Sequence, residues 1–155
     1  DGSLGNENIH TNIIKNSIQK VSPDLIVTHY YKDYHSDHIN LSKIVKTVAG
    51  HYTPILYCDT MMGINFLPNY YVDVSQFMNN KINSISCHKT QKPERFINLA
   101  KLMNSYRSAQ CNAPVGRYAE AYFFEPSFPF SDIRKILPES PKILPFNIKD
   151  IKGFL

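Results

Sequence analysis

Tryptophan is absent from this sequence of 155 residues, and cysteine is rare. The three cysteines, Cys58, Cys87 and Cys111, lie far apart and form no Cys-x-x-Cys pair. An odd number of widely spaced cysteines argues against a disulfide framework and a structural zinc site, and it is typical of a reducing compartment. No apolar run is long enough to span a bilayer, and no signal peptide is recognisable. We therefore expect a cytoplasmic protein without a membrane segment in this chain.

Signatures of several other protein classes are missing as well. Lysine and arginine never cluster beyond pairs, and the net charge of +4 is scattered, so we expect no nucleic-acid partner. The absence of a glycine-rich phosphate loop disfavours a nucleotide-binding α/β domain. The composition, with 43% hydrophobic and 19% charged residues, is that of an ordinary globular protein. The length fits one domain.

The first sixty residues alternate between helical and strand-like patterns. Apolar residues at helical spacing predict an amphipathic helix over residues 7–21, and the next apolar run predicts a buried strand over residues 25–28. A second helix, with an apolar stripe over residues 41–48, precedes a strand near residues 54–58. This alternation is typical of an α/β fold in which helices cover a mainly parallel sheet.

Weaker patterns continue the chain. They predict a loop over residues 61–69, a strand at 70–74, helices within 78–88 and 96–103, and a strand at 118–124. The last thirty residues hold five of the ten prolines. We expect this tail to be irregular and either to wrap the surface or to meet a partner subunit.

The run from Thr28 to His38 carries the chemistry of the sequence. It places three imidazoles and two carboxylates between the first strand and the second helix, where open α/β sheets hold their sites. His35 and His38 can converge on one point if the helix begins near Ser36. One imidazole could then bind a zinc-like metal while the other titrates near neutral pH. From the spacing alone, a polar surface turn with Asp37 as the helix cap is an equal alternative.

A series of short motifs narrows this choice. In chain order they are Asp1-Gly2-x-Leu4, Pro23-Asp24-Leu25-Ile26-Val27-Thr28-His29, Asp33-Tyr34-His35-Ser36-Asp37-His38, Tyr71-Val72-Asp73-Val74-Ser75, Lys81, His88-Lys89-Thr90-Gln91 and Gly116-Arg117-Tyr118-Ala119-Glu120-Ala121-Tyr122. Together they resemble the PIG-L/LmbE-like deacetylases, zinc hydrolases that remove acetyl groups from N-acetylglucosaminyl conjugates. The resemblance implies a three-layer Rossmann-like domain. It covers residues 1–124 and leaves 125–155 as an irregular proline-rich tail.

One part of the family pattern has no counterpart here. The family carries a His-Pro-Asp-Asp-like motif after its first strand, which supplies two metal ligands and the carboxylate base. We therefore expect this chain to be the C-terminal portion of one deacetylase-like domain, with the N-terminal strand or strands missing from it. A sheet without those strands would expose unpaired backbone, so the missing N-terminal segment of the same protein is an expected partner. A non-catalytic sugar- or metabolite-binding module on the same fold is the alternative.

The resemblance also implies roles for individual residues. His38 is the metal ligand from this part of the chain, for Zn²⁺ or another divalent ion. His35 would stabilise the oxyanion as an imidazolium and pass a proton to the leaving amine. Asp37 would orient a histidine as well as cap the helix. Asp1 would contact sugar hydroxyls or form a turn, and His88 would line the pocket or pack against it.

The remaining histidines and one carboxylate receive less specific expectations. His29 ends the first strand and is expected to pack beneath the site rather than bind metal. Glu120 is expected to hold the neighbouring turn, and His10 and His51 to be solvated. The expected substrate is a small amino-sugar conjugate, and a homo-oligomer is left open.

Overall fold

The computed structural model of the chain describes residues 2, 4 and 8–145. Four α-helices, four strands and four short 3-10 turns make up the regular structure of this part. The helices are α1 (Asn8–Val21), α2 (Ser36–Ala49), α3 (Met78–Ser86) and α4 (Pro93–Gln110). The strands are β1 (Ile26–Thr28), β2 (Ile55–Cys58), β3 (Tyr70–Asp73) and β4 (Ala119–Phe124). The predicted fold class, an α/β fold of the Rossmann-like kind, is confirmed.

The four strands form one open sheet in the order β1-β2-β4-β3. β1 and β2 are parallel, with Ile26 opposite Ile55, and α2 supplies the crossover that a parallel pair requires. β4 is antiparallel to β2, with Tyr57 opposite Phe123. The sheet is therefore mixed, and β1 with its following loop lies at one edge of it.

The chain divides into two compact units. The first consists of Asp1–Tyr71 and Ala121–Pro138, and the second consists of Val72–Glu120 and Glu139–Leu155. Within the described residues, no helix combines the length and the apolar character needed to cross a bilayer.

The core of the first unit surrounds β2. Ile55 and Tyr57 belong to a cluster with Tyr30, whereas the intervening Leu56 packs in a second cluster with Phe124. Because successive side chains of a strand point to opposite faces, β2 is covered on both sides. This explains why its sequence is a continuous apolar run rather than an alternating one.

The second unit is organised by α3, α4 and the polar contacts between them and the chain around β4. The Asn104 side-chain amide, buried in α4, donates to the backbone carbonyl of Ala119 at 2.7 Å. Lys81 of α3 pairs with Glu120, and the expected role of Glu120 in holding the neighbouring turn stays a prediction. Both side chains are about one-third exposed, which limits the pair to a modest contribution to stability.

The predicted proline-rich tail is irregular over its described part. Residues 125–145 contain one short 3-10 turn, Arg134–Ile136, and neither a helix nor a strand. Ile133 nevertheless is buried against Leu56 and Phe124, so this stretch contributes to the core of the first unit. Residues 146–155 lie outside the described part.

Candidate metal centre

The loop that follows β1 brings three histidines and a carboxylate into contact. His29 comes directly after β1, and α2 begins seven residues later at Ser36. Asp33 folds the loop, because its Oδ1 accepts the backbone N–H of His35 at 3.0 Å while its own N–H donates to the Tyr30 carbonyl. An aspartate that accepts from the backbone two residues onward forms a turn of its own. The chain is thereby turned from the strand into the helix.

His38 is held by Asp33. Its Nδ1 lies 3.1 Å from Asp33 Oδ2, and the carboxylate is buried while the imidazole is one-third exposed. An ionised carboxylate only accepts hydrogen bonds, so Nδ1 carries the hydrogen, and in the neutral ring Nε2 then keeps its lone pair. This is the arrangement in which a carboxylate fixes a metal-binding histidine. The geometry therefore leaves Nε2 of His38 as the ligand atom.

The charge of Asp33 is stabilised inside the loop. Burial alone would raise the pKa of this carboxyl group, but hydrogen bonds from the His35 backbone and the His38 ring outweigh that effect. The net pKa lies below its usual value. Asp33 is therefore ionised at neutral pH and can orient His38 throughout the physiological range.

His29 completes a group that could hold a metal ion. One ligand atom each from His29, Asp33 and His38 lies within 4.8 Å of the others. Two ligand atoms on one zinc ion are at most about 4.2 Å apart, so separations within 4.8 Å are close to what a shared ion requires. Imidazole nitrogen with carboxylate oxygen is a donor set that suits zinc and several other divalent metals.

Ring stacking restricts how this group can bind. The His29 and His38 rings are parallel, with an angle of 1° between their planes and 3.8 Å between their centroids. The lone pair of an imidazole nitrogen lies in the ring plane, so one ion cannot lie in the planes of two stacked rings. His29 can share an ion with His38 only after one ring rotates.

The protonation of His29 is compatible with that role. Burial lowers its pKa, and the neighbouring His38 lowers it further, so His29 is neutral near pH 7. A neutral imidazole keeps the lone pair that a metal needs.

His35 caps α2 and stacks on the other side of His38. Its Nδ1 accepts the backbone N–H of Asp37 at 3.2 Å, and its ring centroid is 4.6 Å from that of His38. The expectation that Asp37 caps the helix is therefore wrong. The imidazole of His35 supplies the cap, because the helix begins two residues earlier than that assignment requires. Since an accepting Nδ1 has no hydrogen, His35 carries it on Nε2, and the predicted imidazolium would have to release the cap.

The Asp37 carboxylate binds the start of the chain. Its Oδ2 accepts the Gly2 N–H at 2.7 Å, and its Oδ1 accepts the Leu4 N–H at 3.1 Å. The Gly2 hydrogen bond lowers the pKa of Asp37, and the Leu4 hydrogen bond acts in the same direction against slight desolvation. The carboxylate on His38 is that of Asp33. A role for Asp37 in orienting a histidine stays a prediction.

The two expected substrate contacts, Asp1 and His88, stay predictions. Asp1 lies outside the described residues. His88 is exposed in the second unit, where it precedes the 3-10 turn Lys89–Gln91 and donates its backbone N–H to the Ile85 carbonyl. Its contact with a substrate stays a prediction.

Asp33 is a member of the site to which the sequence reasoning gave no role, and His29, which was expected to pack beneath the site, belongs to the group that could hold a metal ion. The spacing Asp33-x-His35 is a signal for Asp33, because aspartates form such turns with the residue two positions on. His29 carries a weaker signal, its position at the carboxyl end of a buried strand.

The fold and the site together define an α/β domain of the Rossmann-like kind with a His-Asp-His group at the carboxyl end of β1. No family model matches the sequence, and no curated protein sequence matches it. Among solved structures, the chain is similar to GalB, the 4-carboxy-2-hydroxymuconate hydratase from Pseudomonas putida KT2440. The TM-score is 0.61 at 16% sequence identity, over 90% of this chain and 62% of that chain. The likeness shows a shared fold, and this chain spans 62% of the length of the hydratase chain.

Proposed function

We propose that the protein is a metal-dependent hydrolase that removes the acetyl group from an N-acetylglucosamine-type amino-sugar conjugate. The observation that carries this proposal is the pairing of Asp33 with His38 Nδ1 beside His35. The motif resemblance to the PIG-L/LmbE-like deacetylases supports the choice of reaction and substrate. GalB supports only the fold, although the hydration in its name also uses water as a reactant.

The side chains have separable tasks in this proposal. His38 binds the metal through Nε2, and Asp33 holds the ring in the tautomer that permits binding. Zinc bound there would supply Lewis acidity, with another divalent ion as the alternative. His35 donates from Nε2 to the oxygen on which negative charge develops when the amide is attacked.

The proposed activity requires that the same protein also contains a His-Pro-Asp-Asp-like motif. The two further ligands and the base that the family pattern requires are proposed to come from that motif, in a segment of the same protein. Asp1 and His88 are the proposed substrate contacts. Without that motif, the same fold would serve as the non-catalytic sugar- or metabolite-binding module.

Two variants test the assignment of roles. His38→Ala should lose both stoichiometric zinc and deacetylation of an N-acetylglucosamine conjugate, because it removes the ligand. His35→Ala should keep zinc and slow turnover by roughly a hundred- to a thousandfold, the usual cost of removing one stabiliser of an oxyanion. His51→Ala, at an exposed turn position two residues beyond the end of α2, is the matched control and should change neither.

Metal analysis and amine release together decide between the proposals. If His38→Ala keeps stoichiometric zinc and normal turnover, the ligand assignment is wrong. If the wild-type protein binds the conjugate but releases neither acetate nor amine, with metal supplied, the binding module is correct and the hydrolase is not.

A further inference from the structure

A groove in the first unit lies beside the segment that holds the histidines. Its volume is about 490 Å³, and it is lined by Lys32, Gly63, Asn65, Phe66 and Leu67. Small-molecule sites are commonly of this size. The Tyr34 hydroxyl lies 3.7 Å from Met61 Sδ, so this groove adjoins the loop of the candidate metal centre.

The loop that forms one wall is held in a defined shape. The Thr60 hydroxyl donates to the Ile64 carbonyl at 2.6 Å, and Phe66 is buried in the core cluster around Tyr57. Met62 and Asn65 adopt left-handed backbone conformations, with φ of 57° and 58°. Residues other than glycine occupy this region at an energetic cost, and such positions are concentrated at ligand-binding segments.

This loop presents apolar side chains to solvent. Leu67 is 81% exposed and Ile64 is 52% exposed, although the adjacent Phe66 is buried. Met61 and Met62 are also exposed on the same short segment. Leu67 is the exposed apolar side chain that lines the groove itself, and exposed apolar surface at a concavity is typical of a binding site.

The charge of the groove limits what it can accept. Lys32 is the only charged residue among those described as lining it, and its ammonium lies 5.9 Å from the centre of the Tyr31 ring. We propose that this groove binds a small organic anion with an apolar body, whose acid group pairs with Lys32 while its body covers Leu67. This assignment goes beyond the proposed hydrolase and does not depend on it.

Binding of octanoate to the metal-free protein, measured by titration calorimetry, tests the proposal. Leu67→Ser should weaken octanoate binding about tenfold, the effect of losing the burial of one leucine side chain. Lys32→Gln should weaken it by up to about fivefold, as for a partly exposed ion pair. Val21→Ser and Lys43→Gln remove an exposed apolar residue and an exposed lysine outside the groove, and they should leave affinity unchanged.

Three results would overturn the assignment. Equal binding of octanoate and octylammonium would show that the groove does not select an anion. Equal binding of acetate and octanoate would show that the apolar wall takes no part. Binding to phosphatidylglycerol vesicles without binding of monomeric octanoate would identify a membrane-docking loop instead. None of these binding measurements involves zinc or catalytic turnover, so their results are independent of whether the hydrolase proposal holds.

Discussion

Replacing Asp33 with asparagine tests the central contact of the site. The change keeps the size of the side chain and leaves an oxygen for the His35 backbone N–H, but it puts an amide group opposite His38 Nδ1. To pair with an amide N–H, His38 must move its hydrogen to Nε2, the atom assigned to the metal. The variant should therefore bind zinc about 10- to 100-fold more weakly.

The same variant should also lose stability. The Asp33 carboxylate is buried and accepts hydrogen bonds from His35 and His38. Weakening one bond to a buried charged group costs about 1–3 kcal/mol, which lowers the midpoint of thermal unfolding by about 2–4 °C per kcal/mol at this chain length.

Zinc titration after chelator treatment and thermal unfolding without metal measure the two effects separately. Asp132→Asn is the matched control, because Asp132 is exposed and pairs with Arg134 outside the site. That control should bind zinc like the wild type. If Asp33→Asn also binds zinc with wild-type affinity, Asp33 does not set the tautomer of His38, and the reasoning fails.

Two further predictions concern stability in each unit. Asn69→Ala should cost about 1–3 kcal/mol in urea unfolding, because its side chain donates to the Phe124 carbonyl and accepts the Phe124 N–H, both at 2.8 Å. A hydrogen bond from the Ser75 hydroxyl is the main cause that holds the pKa of Asp73 below its ordinary value of 3.8. The ionised Asp73 therefore stabilises the folded protein at pH values above 3.8. This stabilisation is lost as the pH falls through the lower pKa of the folded state. Asp73→Asn should flatten the acid limb of the plot of stability against pH.

Asn80→Ala, on the exposed face of α3, is a control for both predictions. It should neither destabilise the protein nor change its acid limb. An Asn69→Ala variant as stable as the wild type would show that solvent replaces both bonds to Phe124. Superimposable acid limbs for Asp73→Asn and the wild type would show that the Asp73 pKa is the same in the folded and unfolded states.

The helices and strands were largely predictable because their signals are local. The apolar spacing that predicts a helix over residues 7–21 is a property of neighbouring residues, and α1 occupies Asn8–Val21. The apolar run before Cys58 similarly marks β2. The cap of α2 was not predictable in this way, because both His35 and Asp37 have a side chain that can accept a backbone N–H. The path of the loop decides between them.

The sequence by itself determined the α/β class and the presence of three histidines in the run from Thr28 to His38. Only the tertiary structure decided that Asp33 forms a hydrogen bond with His38, whereas Asp37 accepts one from the backbone of Gly2, 35 positions away. It also decided that β4 lies between β2 and β3. The physical reason is the same in each case. Periodicity and burial act over a few residues, whereas a carboxylate or a strand edge pairs with whichever partner the folded chain brings within hydrogen-bonding distance.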